Sequence, residues 1–257
     1  MAQVIAELRG VTKAFGSRVI LDNVDVKIHE GDALGVIGPS GTGKSTILRL
    51  ISGLLAPDSG EVYVHGQKRE RLLEEGEDPL GVGLVFQQSA LFDSLSVGEN
   101  VGFALYRRSR LQRAEIDELV KEKLELVGIP HAYDLYPSEI SGGMKKRVSL
   151  ARAIISDPSV SKDKQNILLY DEPTAGLDPV ASTRIQTVIM ELLKVKGACS
   201  GHLMVTHVHS TIQNTTDRII FLYDGKIQWE GLTEDAYKSE IPVLKQFFSG
   251  SIDGPIQ

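Results

Sequence analysis

The run Gly38-Pro39-Ser40-Gly41-Thr42-Gly43-Lys44-Ser45 sets glycines, a lysine and a hydroxyl at a spacing suited to holding phosphate. Glycines let backbone N–H groups converge on phosphate oxygens without side-chain clash, and a following helix adds the positive end of its dipole. In this reading Lys44 contacts the β- and γ-phosphates of a nucleoside triphosphate, and the Ser45 hydroxyl ligates Mg²⁺. A glycine turn with no ligand is the competing reading. The context argues against it. Ala33-Leu34-Gly35-Val36-Ile37 is continuously apolar, as strands buried on both faces of a parallel sheet are. The residues from Lys44 to about Leu55 read as a helix stopped by Ala56-Pro57-Asp58.

A second group of residues could hold a metal and activate water. Ile167-Leu168-Leu169-Tyr170 reads as a buried strand and leads directly into Asp171-Glu172. An acid at the end of a strand next to the phosphate-loop strand can hold Mg²⁺, directly or through water. Asp171 takes that role. Glu172, one residue on, can face the water attacking the γ-phosphate and act as its general base. Alone, the pair reads equally well as exposed loop acids such as Glu74-Glu75; its apolar strand and the surrounding motifs separate the two cases.

The elements that must position these groups alternate along the chain. Val4, Ala6 and Leu8, then Leu21, Val24, Val26 and Ile28, give short alternating strands joined by turns such as Gly16-Ser17. Glu61 to His65 and Val82 to Phe86 read as further strands, separated by the charged run 66–79, a solvated loop or short helix. Between Ser96 and Ser156 the period turns helical, with Ile116, Leu119, Val120, Leu124 and Val127 on one face. A helix near 180–195, a buried strand Leu203 to Thr206, and a hairpin turning at Asp224-Gly225 complete the pattern. The expected fold is α/β, a parallel-sheet phosphate-loop core with an antiparallel β-flank and an inserted helical lobe. Residues 1–95 and 157–240 supply flank and core, 96–156 the lobe, and 241–257 a tail.

Composition limits the function. The chain has 257 residues, 42% hydrophobic and 24% charged, with a formal net charge of -6. An acidic balance disfavours nucleic acid as the main partner. Cys199 is the only cysteine, so no internal disulfide or Cys-based metal cluster can form. The opening MAQVIAELRGVTKAFG lacks the apolar centre of a secretory signal, and no apolar stretch approaches the length of a membrane span. Service to a membrane would therefore be peripheral.

Further residues carry a family resemblance. Ile140-Ser141-Gly142-Gly143-Met144 resembles the ABC signature, usually LSGGQ, and Asp171 to Pro179 (DEPTAGLDP) resembles the Walker-B and D-loop run of ABC ATPases. Gln87 follows its strand as the Q-loop glutamine does, and Val205-Thr206-His207 resembles the H-switch. The five elements occur in the family's order across essentially the whole chain. The resemblance implies a head-to-tail dimer in which Ser141, Gly142 and Gly143 of one copy close on the γ-phosphate held by the other. It implies ATP contacts from Phe15, Gly38, Ser40, Gly41, Thr42, Gly43, Lys44, Ser45 and Thr46, with Asp178 in the dimer seam. Gln87 would reach Mg²⁺ and the attacking water, and His207 would bond the γ-phosphate and hold Glu172. Taken singly, Phe15 fits a core aromatic, His207 a strand-end histidine and Gln87 a surface amide.

Met144 departs from the usual glutamine, so the resemblance carries over the signature's backbone contacts and not that side chain's contact with the partner nucleotide. The insert at 159–166 is longer than the usual connection and has no assigned role. His209, just past the switch, reads as structural. The stretches Phe86 to Val97 and Ser141 to Val148, and the ending Gln246 to Pro255, resemble ATPases of lipid transporters that work with MCE-domain proteins. That group includes the bacterial Mla and chloroplast trigalactosyldiacylglycerol systems. The resemblance implies a membrane permease docking around residues 88–99, an MCE-domain protein in the complex, and a peripheral site at the cytoplasmic or stromal membrane face. An ATPase of another importer or exporter, for amino acids or lipoproteins, is the alternative. A non-transport ATPase of DNA repair or translation fits less well, because the chain has one domain, no long heptads and an acidic balance.

Overall fold

The computed structural model describes residues 2–70, 72, 80–158, 166–195 and 198–256. Most of the charged run 66–79 and all but residue 166 of the insert at 159–166 lie outside them.

Two sheets form. Strands β1 (Val4–Phe15), β2 (Arg18–His29), β4 (Ser59–Val64) and β5 (Gln67–Lys68) make an antiparallel sheet in the order β2-β1-β4-β5. The second sheet has the order β10-β9-β3-β8-β7-β6, from β3 (Ala33–Ile37), β6 (Val82–Val85), β7 (Ile167–Asp171), β8 (Gly201–Val205), β9 (Arg218–Tyr223) and β10 (Lys226–Leu232). Its pairs are parallel except β9 with β10, which turn through Asp224 and Gly225 at φ of 49° and 71°. A two-residue turn with both φ positive matches the right-handed twist of its strands.

The central sheet is apolar on both faces, and the strand alternation divides those faces between two cores. Ile167, Leu169, Leu203 and Val205 point to the antiparallel sheet and helix α1 (Lys44–Ile51). Leu168, Tyr170 and Met204 point the other way, to a core shared with α2 (Val97–Arg108), α3 (Arg113–Leu126), α4 (Gly142–Ile154) and α5 (Pro179–Lys194). On α3 the predicted stripe is present, with Ile116, Val120 and Leu124 buried and Leu119 partly covered. Short helices α6 (His209–Thr215), α7 (Thr233–Tyr237) and α8 (Pro242–Ser249) enclose a third cluster around Ile219 and Phe221. The run 241–257, expected as a tail, thus carries a packed helix: Leu244 is buried and Gln246 bonds the Ser251 and Ile256 carbonyls.

Two expectations are corrected. Helix α1 stops at Ile51, because Gly53 turns left-handed (φ 77°) and closes the end with its N–H on the Leu50 carbonyl. The strand carrying Asp171 is not next to the phosphate-loop strand: β8 lies between β3 and β7.

His202 on β8 is fully buried; its Nε2 donates to the Thr215 carbonyl at 2.9 Å, and among the described residues Nδ1 has no partner. Burial pushes this imidazole down to about 4. The unfolded chain therefore takes up a proton near pH 6.5 that the folded chain refuses until about pH 4. This group's contribution is intact above pH 6.5 and is lost as the pH falls through that window, by about 3 kcal/mol at most. Thermal midpoints from pH 7 to 4.5 should fall less steeply in His202→Gln than in the parent; parallel curves would exclude the effect.

Candidate functional site

The phosphate loop joins β3 to α1, and two of its glycines are required by contact as well as conformation. Gly38 has φ 144°, and a Cβ there would sit 2.1 Å from the Leu222 carbonyl oxygen. Gly43 has φ 103°, and its Cβ would lie 2.7 Å from Ile20 Cγ2. Ser40 and Gly41 are exposed, Thr42 is half-buried with its hydroxyl on the Pro39 carbonyl at 2.9 Å, and Thr46 is buried in the first turn of α1. Lys44 is buried, its ammonium donating to the Gly38 and Pro39 carbonyls at 2.9 and 2.7 Å. Burial pushes that ammonium below the usual lysine range, against the attraction of Glu172 and Asp171. The β1–β2 hairpin ends beside the loop. It presents Phe15, half exposed, with Lys13 Nζ 5.8 Å from its ring centre.

Although one strand separates them, the loop and the acidic pair meet. Ser45 Oγ donates to Asp171 Oδ1 at 3.0 Å, across 126 residues of sequence. Burial pushes the Asp171 carboxyl up, and the neighbouring Glu172 charge adds to it. A hydroxyl and a carboxylate at this spacing are hard oxygen donors of the kind Mg²⁺ takes.

Glu172 has φ 49°, a left-handed conformation rare outside glycine. It is fixed on three sides. Its N–H bonds the Val205 carbonyl at 2.8 Å, Oε2 accepts from Thr206 Oγ1 at 3.0 Å, and Oε1 pairs with His207 Nδ1 at 2.6 Å. A carboxylate only accepts, so Nδ1 carries the proton and Nε2 is turned outward. Strain held by this many contacts is typical of functional positions. The sheet order explains the meeting: Asp171 pairs with Val205, so both strand ends emerge side by side.

Ser141, Gly142 and Gly143 open α4. Ser141 caps it, accepting from the Met144 N–H at 3.2 Å. Asp178 caps α5, accepting from Val180 and Ala181 N–H at 2.9 Å each. Both tips line an open cleft of about 380 Å³, with Arg147 and Arg184 beside them. Among the described residues no hydrogen bond or ion pair joins these tips to the phosphate loop of the same chain. Met144 packs into the helical core. Gln87 is exposed just after β6, and among the described residues no hydrogen bond joins its side chain to Ser45 or Asp171.

The matching family model describes the ABC transporter and aligns with residues 21–175, more than half of the chain. The chain belongs to the ABC transporter family. It is an ATP-binding and ATP-hydrolysing subunit of an ABC transporter. Among its relatives, the chloroplastic TRIGALACTOSYLDIACYLGLYCEROL 3 protein of Arabidopsis thaliana is 52% identical, covering 100% of this chain and 76% of that protein. The intermembrane phospholipid transport system ATP-binding protein MlaF of Haemophilus influenzae is 36% identical, over 100% of this chain and 95% of that protein. A dimeric post-hydrolysis structure of the ATP-binding cassette MJ0796 with ADP and Pi superposes with a TM-score of 0.74. It is 31% identical and covers 89% of this ABC subunit and 99% of that chain.

Two side chains in this ABC subunit's site had no sequence-based role. Thr206 grips Glu172, and its signal was only a hydroxyl inside the switch run. Lys146 is 6% exposed and donates to the Gln87 carbonyl. A cation on a helix ordinarily reads as a solvated face, so its burial left no trace in the pattern.

Proposed function

We propose that this subunit powers a lipid-transporting membrane permease through a nucleotide-sandwich dimer. Lys44 exchanges its loop carbonyls for the β- and γ-phosphates. Ser45 and Asp171 would hold Mg²⁺, and Gln87 would reach the metal and the attacking water. Glu172 removes the proton from that water. The His207 ring, its Nδ1 on Glu172, turns Nε2 toward the γ-phosphate. Phe15 stacks on adenine. Ser141, Gly142 and Gly143 offer an α4 N-terminus to the partner's ATP, and Asp178 lies in the seam. The observation that carries the catalytic reading is the contact of Ser45 with Asp171 beside a strained, doubly held Glu172.

Lys44→Ala should weaken ATP binding by about tenfold to a hundredfold, the loss of charge-assisted contacts worth about 1.5–3 kcal/mol. Titration with a fluorescent ATP analogue measures it. Unchanged affinity would remove Lys44 from the phosphate site.

The lipid cargo rests on the two relatives covering the whole chain, one named for a galactolipid and the other for intermembrane phospholipid transport. The permease docks around residues 88–99, where Phe92 is exposed, and an MCE-domain protein completes the complex on a membrane at whose cytoplasmic or stromal face the subunit sits. No helix among the described residues is long and apolar enough to cross that membrane. A sulfate/thiosulfate import ATP-binding protein of Bradyrhizobium diazoefficiens is 38% identical over 98% of the chain and 71% of its own length, so a solute importer is the second reading. Capture of the subunit with its permease from membranes, followed by lipid mass spectrometry, separates the two. Enriched phospholipid or glycolipid supports the proposal, and a complex that binds sulfate or another small solute without lipid contradicts it.

A further inference from the structure

Residues 87–90 follow β6 and carry Gln87, yet among the described residues no backbone–backbone hydrogen bond holds them. Their carbonyls are held by side chains of one helix, α4. Lys146 Nζ donates to the Gln87 carbonyl. Ser149 Oγ donates to the Ser89 carbonyl at 2.8 Å, and Arg152 donates to Ser89 at 3.0 Å and to Ala90 at 2.7 Å. Lys146, Ser149 and Arg152 recur at every third position and so share one side of the helix. Ala90 has φ 47°, a left-handed conformation that persists in a non-glycine residue only where its surroundings impose it.

These contacts are costly to build. Lys146 is 6% exposed, and neither it nor Arg152 belongs to an ion pair among the described residues. Burial pushes both cations below their usual ranges; at Lys146 the charges of Glu172 and Asp171 partly oppose this. Lys146 thus holds the segment carrying Gln87 and also feels the charge of the acidic pair. A methionine would fill the same space without the desolvation penalty.

We infer that Lys146 is a positioning residue for ATP hydrolysis: it ties the main chain of Gln87 to the helix that starts at Ser141. The inference rests on the role proposed above for Gln87. Lys146 lies five positions after Ser141, about 7.5 Å along the helix axis at 1.5 Å per residue. The tip that meets the partner's nucleotide and the ammonium that holds this chain's own Gln87 thus belong to one rigid element. Docking of the tip in one site moves Gln87 in the other, which makes each site sense the other's occupancy.

The test is a double-mutant cycle on the full chain, with kcat and KM for ATP measured in the presence of Mg²⁺. Lys146→Met should lower kcat about tenfold and change KM less than twofold, and Lys146→Arg should recover most of the loss. In a Gln87→Ala background, Lys146→Met should cause no further loss. A Lys146→Met enzyme with parental kcat, a loss confined to KM, or a loss that multiplies with that of Gln87→Ala overturns the inference. Should the methionine variant not fold, Lys146→Gln carries the same cycle, with its thermal midpoint recorded. Unchanged turnover in Gln87→Ala alone overturns the role of Gln87 and this inference with it; a reduced but additive result overturns the Lys146 link alone.

Discussion

Glu172→Gln should reduce ATP turnover by about a hundredfold or more while leaving ATP affinity within a few-fold, since general-base catalysis contributes about 10²–10⁴ in rate. The substitution is nearly isosteric. The amide oxygen can still accept from Thr206 Oγ1, and the His207 ring can turn its Nδ1 into an acceptor for the amide N–H. The left-handed backbone at φ 49° is held by the Glu172 N–H on the Val205 carbonyl, a main-chain bond that the substitution leaves in place. What changes is the capacity to take a proton from water. Steady-state phosphate release and equilibrium ATP binding, measured on the same preparation, check both halves. Full turnover would take the base role from Glu172.

The ease of placing this pair from sequence, and the difficulty of placing others, have physical causes. Buried parallel strands are continuously apolar, so Ala33 to Ile37 and Ile167 to Tyr170 stand out, and each ends directly in its polar group. Strand order leaves no such mark. A parallel crossover can reach the adjacent strand or the one beyond, and nothing in Asp171 or Val205 announces that β8 would lie between. The early end of α1 was hidden because Leu54 and Leu55 extend the apolar pattern past Gly53, whose left-handed turn needs only the missing Cβ. Helices α6 and α7 are too short for a 3.6-residue period to register. Lys146 and Thr206 leave no sequence signal for a related reason: a side chain that satisfies carbonyls or carboxylates from distant segments shows its role only once those segments meet.

Ser141→Arg should cut turnover about a hundredfold and abolish its cooperative dependence on ATP, with the affinity of the phosphate loop for nucleotide preserved. Removing preorganised anion contacts costs about 2.7–4 kcal/mol, and the arginine also fills the space that a facing subunit must enter. The residue is exposed, and among the described residues its side chain bonds only the Met144 N–H, so the core is untouched. Loss of that cap costs about 0.5–2 kcal/mol of helix stability. Ser141→Ala loses the same cap without the bulk, and should retain much more activity than the arginine variant. Cooperative turnover at the parental rate in Ser141→Arg would place Ser141 outside the seam.

The most direct test of the sandwich is the solution mass of Glu172→Gln, in which bound ATP persists. One chain is 28.1 kDa. With saturating ATP and Mg²⁺, light scattering should report twice that mass, and the single-chain mass after nucleotide removal or when Ser141→Arg is added. A single-chain mass at saturating ATP, or a dimer indifferent to Ser141→Arg, would contradict the account.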